Sequence, residues 1–440
     1  MPPAPSAAPW RWTWIPCLRA TKYSSSSATC RTAPSPTPKP GAYWAGNRRT
    51  IWRITGGPVP AVNDNERQPR YDQGKSPVKN APPQPIIPNS QATALIFDGV
   101  GQPLRHAQLP LPQQLDPGHL LVAIRRATLC GSDLHTLAGR RSAPTPCVLG
   151  HEAVGQVVAA GPDRTDAAAG DLITWTLADS CGACVYCTDY GLPEKCRALF
   201  KYGHAGLDQG HGLNGCYASH ILLRPGTHTV PLDTTLDPSI AAPANCALAT
   251  MVNALSHLPD QTHTVVLQGA GLLGIYGCAL LHQRGVERVF CIDIEPTRLE
   301  QVASFGGIPV DGRSERETAA IGREIDAVVE VAGVPDLVPT GLDLLRPGGL
   351  YLFVGMVHPA TQLDLTGEQV IRKCLTIRGI HNYSPPHLDQ AVDFLQQTAS
   401  CYPYASLVSP PLPLDHIDEA FDLARTRSYH RVAVTPEESP

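Results

Sequence analysis

Four cysteines stand at a metal-binding spacing: Cys181, Cys184, Cys187 and Cys196, in the pattern C-x2-C-x2-C-x8-C. Four thiolates so placed can close a tetrahedral shell around zinc and leave no position open for chemistry, so such a site stabilises a lobe. An iron–sulfur cluster also uses closely spaced cysteines and is the alternative. A second constellation is the glycine loop Gly269-Ala270-Gly271-Leu272-Leu273-Gly274. Its first glycine permits a tight turn, its second lets a pyrophosphate approach the backbone, and its third lets helix and strand pack. The helix it opens then faces negative charge with its N-terminus. Asp293 follows 19 residues after Gly274. A carboxylate there can accept the ribose hydroxyls of NAD and repels the extra phosphate of NADP.

A third set is dispersed. Cys130, His151, Glu152 and Cys246 each have an ordinary reading alone: a packed thiol, a surface dipeptide, a core residue. Their flanks add meaning. Cys130-Gly131-Ser132-Asp133-Leu134-His135 places two proton-carrying groups, Ser132 and His135, just behind a potential thiolate, and Gly150-His151-Glu152 lies between a turn and an apolar strand.

Elements able to position these groups follow from the pattern. Order is expected from about residue 92. Short apolar runs punctuated by turn residues continue to about 231, an irregular β-rich domain. From 264 the pattern becomes strand, glycine loop, helix (272–284), strand (289–293), helix (297–305), with further strands at 326–332 and 349–355. That alternation implies a parallel sheet with right-handed crossovers, an α/β class. A helix at 388–397 and a strand at 431–434 are expected to return to the first domain.

The 440 residues carry a net charge of −4, which argues against nucleic-acid binding driven by counterion release. No apolar run is long enough to span a membrane. Seventeen of the 44 prolines and five of the six tryptophans lie in residues 1–90, and no acid precedes Asp64. This Pro-, Ser- and Arg-rich extension is expected to be disordered. It reads as an inert tail or as upstream sequence included by a misplaced start codon, ahead of an organelle transit peptide. A cytoplasmic location follows, with thiols kept reduced.

Cys-Gly-Ser-Asp-x-His from Cys130, Gly-His-Glu-x-x-Gly from Gly150, the four-cysteine lobe, Cys246 and then the GxGxxG loop, in this order, resemble the medium-chain zinc-dependent alcohol dehydrogenases. The likeness spans residues 92–434. It implies a GroES-like β-rich catalytic domain (91–247, with the lobe at about 178–204), a Rossmann doubly wound sheet (248–382) and a returning C-terminal segment (383–440). It further implies two zinc ions per chain. Cys130, His151 and Cys246 would hold the catalytic one, with Glu152 a transient ligand and Asp133 orienting His151, and Cys181, Cys184, Cys187 and Cys196 the structural one. Ser132 and His135 would relay the alcohol proton. Gly269, Gly271, Leu272, Leu273, Gly274, Asp293 and Arg298 would bind NAD, with Arg431 on its pyrophosphate. The working form would be a homo-oligomer, dimer or tetramer, acting on a small-molecule alcohol or carbonyl. Residues 191–204, Gly139-Arg140-Arg141 and 242–247 resemble the subfamily associated with phosphonate catabolism. Departures are the longer last lobe spacing, Ala205 in place of an acid, and Cys216 where glycine is usual.

Arginine binds oxyanions bidentately, so Arg140 or Arg141 is a candidate to hold an anionic substrate group. The competing reading makes both solvated surface charges. Lys201 and His204 could add positive charge, but their direction is not legible. Two other functions compete: a zinc-free NADPH quinone-type reductase of the same fold, and a non-catalytic zinc- and nucleotide-binding protein. The metal-donor set and Asp293 weigh against the first, and the Ser132/His135 relay against the second.

Overall fold

A computed structural model describes residues 90–357 and 361–436. The expectation of disorder for 1–90 falls, except for Ser90, outside the described residues.

The β-rich half is built on a sheet whose central strand is Leu120–Leu129. Glu152–Ala160 pairs with it antiparallel on one side, and Val432–Thr435 on the other. The chain's last described strand therefore completes the first half of the fold. Register does the positioning here. Val432 faces Leu129, and Thr128 faces Glu152. Cys130, Glu152 and Arg431 thus meet at the ends of three neighbouring strands, although they are far apart in sequence.

The second half is a parallel sheet in the order Ile308–Asp311, Arg288–Asp293, Thr264–Gln268, Ile325–Glu330, Leu345–Phe353, Thr376–Gly379. Side chains alternate between two covered faces. Val265, Leu267, Val289, Cys291, Ala327 and Val329 enter one core, and Val266, Phe290, Ile292 and Val328 the other. Burial on both faces is why these strands read as unbroken apolar runs. The first core also takes in the helices Ala247–Leu255, Leu272–Gln283 and Pro385–Thr398. The helix expected at 388–397 packs on the helix that follows Cys246 and also reaches the first half, where Asp389 meets His228 Nε2 at 2.7 Å. Its Leu388, Ala391, Val392 and Leu395 recur at i, i+3, i+4 and i+7 and are buried.

A two-stranded ribbon, Ala178–Asp179 with Phe200–Lys201, closes the base of the four-cysteine lobe. No helix among the described residues is long and apolar enough to cross a membrane.

Candidate active site and metal centres

Cys130 sits where the strand Leu120–Leu129 stops and the helix Gly131–Leu137 begins. It caps that helix, and Asp133, three residues on, reaches back to accept the Cys130 N–H at 3.0 Å. This is the reciprocal logic of a capping box, so the local sequence itself holds Cys130 in place. Asp133 also accepts the Tyr217 hydroxyl at 2.8 Å and lies 3.5 Å from His151 Nδ1. Cys246 is brought in at the start of the helix Ala247–Leu255, with its sulfur 3.6 Å from His151 Nε2. The Asn245 amide donates to the carbonyls of His151 and Trp175, tying these two segments beside Cys246.

The donor atoms of Cys130, His151, Glu152 and Cys246 all lie within 4.8 Å of one another. Nitrogen and thiolate donors so gathered suit zinc. Burial opposes the charged form of His151, but Asp133 and Cys130 outweigh it and hold the imidazole up at about 10. Ser132 Oγ is buried with no hydrogen-bond partner among the described residues. His135 Nδ1 accepts from Arg140 Nε at 2.9 Å. An acceptor at Nδ1 leaves the proton of the neutral ring on Nε2.

Arg431, expected on a pyrophosphate, points in this structure towards the metal-donor cluster. Its Nε and Nη2 bind both oxygens of Glu152 at 2.7 and 2.8 Å, its Nη1 donates to the His430 carbonyl, and its Nη2 lies 3.6 Å from Cys130 Sγ. A wholly buried carboxylate needs a counter-ion, and the strand register puts Arg431 within reach. Glu152 also accepts from Thr128 Oγ1 at 2.6 Å. Arg140, one of two candidates for an anionic substrate, donates its Nε to His135 Nδ1. Arg141 has no side-chain partner among the described residues.

In the lobe, sulfur–sulfur distances of 3.6 Å (Cys184–Cys187) and 3.9 Å (Cys184–Cys196) match the edge of a tetrahedron with zinc–sulfur bonds of about 2.3 Å, which is about 3.8 Å. All four sulfurs lie within 4.8 Å of one another, a cage for one ion. Backbone amides of Arg197 and Cys187 pull the Cys184 thiol down to about 6, while burial pushes Cys187 and Cys196 up.

The glycine loop is shaped for close approach. Gly269 has φ +119°, and a Cβ at Gly274 would sit 1.9 Å from the Gly269 carbonyl, so helix and turn could not pack. A Cβ at Gly271 would meet nothing within 4 Å, so the space at the helix start is open. Leu272 and Leu273 begin that helix. Asp293 ends its strand, with Oδ2 accepting the Ala270 N–H at 2.7 Å and Oδ1 accepting from Ile294 and Glu295. Arg298 Nη1 lies 3.8 Å from Asp293 Oδ2.

Residues 116–234 match the alcohol dehydrogenase GroES-like domain, and residues 273–397 match the zinc-binding dehydrogenase family. An L-threonine 3-dehydrogenase of Streptomyces coelicolor is 30% identical over 301 residues, covering 66% of this chain and 83% of the relative. This chain belongs to the medium-chain zinc-type alcohol dehydrogenase family. A zinc-type alcohol dehydrogenase B of Aspergillus flavus is 29% identical, covering 73% of this chain and 76% of the relative. The crystal structure of an alcohol dehydrogenase from Thermotoga maritima superposes with a TM-score of 0.73 at 30% identity, covering 78% of this chain and 99% of that one. Relatives in the family include alcohol, altritol and L-threonine dehydrogenases, and this chain is an oxidoreductase of that family.

Sequence reasoning missed Tyr217, Asn245 and Thr128, which hold Asp133, His151 and Glu152. Asn245 carried one signal, its place beside Cys246. Tyr217 and Thr128 carried none, since only the tertiary fold brings them to their partners. Of the departures, Ala205 and Cys216 are both buried, and burial pushes the Cys216 thiol far up, so it packs as a small apolar group.

Proposed function

We propose that this chain is an NAD-dependent alcohol dehydrogenase with two zinc ions, one on Cys130, His151 and Cys246 and one on the four-cysteine lobe. The finer substrate reading is an alcohol bearing an anionic group, a phosphonate first. The observation that carries the proposal is the convergence of three nitrogen and sulfur donors beside a buried, unpartnered serine hydroxyl.

When bound, zinc supplies a Lewis acid for the substrate's hydroxyl oxygen and NAD supplies the hydride acceptor. The chain's own residues do the remaining work. Asp133 fixes the orientation of His151. Ser132 Oγ takes the hydroxyl proton as it gives up its own, and His135 can receive that proton only at Nδ1, so the bond from Arg140 must open during the relay. Arg431 neutralises Glu152 and keeps that carboxylate among the donors. The dipeptide His430-Arg431 joins the two halves. His430 Nε2 lies 2.7 Å from Gln301 on the nucleotide side, and Arg431 lies on Glu152. Asp293 and Arg298, at the end of the second strand, would receive the adenosine ribose.

The test is NADH formation by the full chain with a panel of alcohols, with NADP as control and metal counted on the same sample. About two zinc per chain and turnover with NAD are expected. Activity with NADP alone, or a metal-free active protein, would overturn the reading.

A further inference from the structure

The metal-donor set is split between the two halves of the fold. Cys130, His151 and Glu152 stand at the ends of strands in the first sheet. Cys246 instead opens the helix Ala247–Leu255, whose Leu248, Met251 and Leu255 enter the core of the parallel sheet. That helix lies against the one the glycine loop opens, since a Cβ at Gly277 would be 3.0 Å from Met251 Cε. Residues 380–384 cross between the halves. They leave the strand Thr376–Gly379 of the parallel sheet and lead into the helix Pro385–Thr398.

Tyr383 is buried in this crossing segment. Its hydroxyl accepts the N–H of Leu177, from the first half, at 3.2 Å and donates to the carbonyl of Asn245, the residue before Cys246. A phenol has one proton to give and lone pairs to receive, so this hydroxyl is used in both directions. Asn382 beside it takes the left-handed conformation at φ +63°, which asparagine tolerates, and its carbonyl accepts the Asn253 amide at 2.8 Å. Asn253 lies about two turns along the Cys246 helix, so the segment grips that helix at its start and again further on.

Asn245 carries the connection to the other donors. Its amide donates to the carbonyls of His151 at 3.1 Å and Trp175 at 3.0 Å. One run of hydrogen bonds therefore leads from the Tyr383 hydroxyl through Asn245 to the backbone of His151, and Cys246 Sγ lies 3.6 Å from His151 Nε2. Removing the hydroxyl strips a partner from two backbone groups in buried residues, the Leu177 N–H and the Asn245 carbonyl. A metal site depends on donor placement to within about 0.2 Å, so a small release of this backbone is felt there.

We propose that Tyr383 is a positioning residue for the metal centre: its hydroxyl sets Cys246 against His151 and couples that pair to the seating of the nucleotide half. Tyr383 is not among the donors and acts through Asn245. The coupling follows from the chain path, because the same segment that holds Asn245 leaves the sheet that bears the glycine loop. This inference rests on the dehydrogenase reading for the ion and the nucleotide.

The test uses the full chain with cobalt(II) exchanged into the Cys130/His151/Cys246 centre and zinc left in the lobe. Cobalt absorption bands report donor geometry without turnover. ADP-ribose is the second probe, because it fills the nucleotide half yet has no nicotinamide ring to approach the ion. In the unaltered protein, ADP-ribose is expected to shift the cobalt bands. Tyr383→Phe is expected to change the bands, to lose most of that shift and to weaken zinc at this centre about tenfold in chelator competition, with lobe zinc and ADP-ribose affinity unchanged. A double-mutant cycle with Asn245→Ala separates positioning from a general loss of stability. The two effects on zinc affinity should fall short of additive, because one run of hydrogen bonds is cut twice. A Tyr383→Phe protein that melts earlier but keeps the unaltered bands and the unaltered shift overturns the proposal, and so do additive effects in the cycle. Bands in the unaltered protein that ignore bound ADP-ribose overturn the coupling. An unaltered protein that takes up no cobalt at this centre, or binds no ADP-ribose, overturns the dehydrogenase reading and the proposal with it.

Discussion

Arg431 and Glu152 form a two-toothed ion pair inside the protein, with nitrogen–oxygen distances of 2.7 and 2.8 Å across 279 positions of sequence. Glu152 is wholly buried and Arg431 nearly so. Removing one partner of such a pair strands the other charge, at a cost of about 3–5 kcal/mol. Arg431→Met is therefore expected to destabilise the protein by about that amount in urea unfolding. The double variant with Glu152→Leu should recover part of the loss, since no carboxylate is then left unpaired. A loss below about 1 kcal/mol in the single variant would mean that water reaches Glu152.

The two metal centres should separate by mutation. Cys184→Ser is expected to lower bound zinc from about two to about one per chain and to expose the lobe around 181–196 to protease. Cys246→Ser should likewise lose about one zinc but leave the lobe resistant, with NADH formation abolished. Loss of both ions in either variant would show that the sites fold as one.

Asp293 both ends its strand and pins the glycine loop through the Ala270 N–H. Asp293→Asn removes the charge that repels a 2′-phosphate, and it weakens charge-assisted bonds to three backbone amides. We expect KM for NAD to rise about tenfold and the NADP-to-NAD ratio of kcat/KM to rise as well. An unchanged ratio would take Asp293 out of cofactor choice.

What the sequence determined by itself was local chemistry. The C-x2-C-x2-C-x8-C spacing fits one short lobe, and the cage forms within sixteen residues. The glycine loop and Asp293 are set by one strand-turn-helix-strand unit, whose backbone needs those glycines where they stand. Cys130 and Asp133 share a helix cap, so their geometry is also local. The strand Thr264–Gln268 and the helix beginning at Leu272 were legible because burial on both sheet faces leaves an unbroken apolar signal.

Tertiary structure decided the rest. Register between distant strands is not written in either strand alone, and it is register that sets Val432 opposite Leu129 and so brings Arg431 to Glu152. Arginine identity allowed a pyrophosphate or a carboxylate as partner, and strand register brings the carboxylate of Glu152 within reach. The approach of His204 to His151, with ring centroids 5.3 Å apart, depended on how a two-residue ribbon leaves the lobe. Side-chain type gives the charge, but the path of the chain decides what that charge faces.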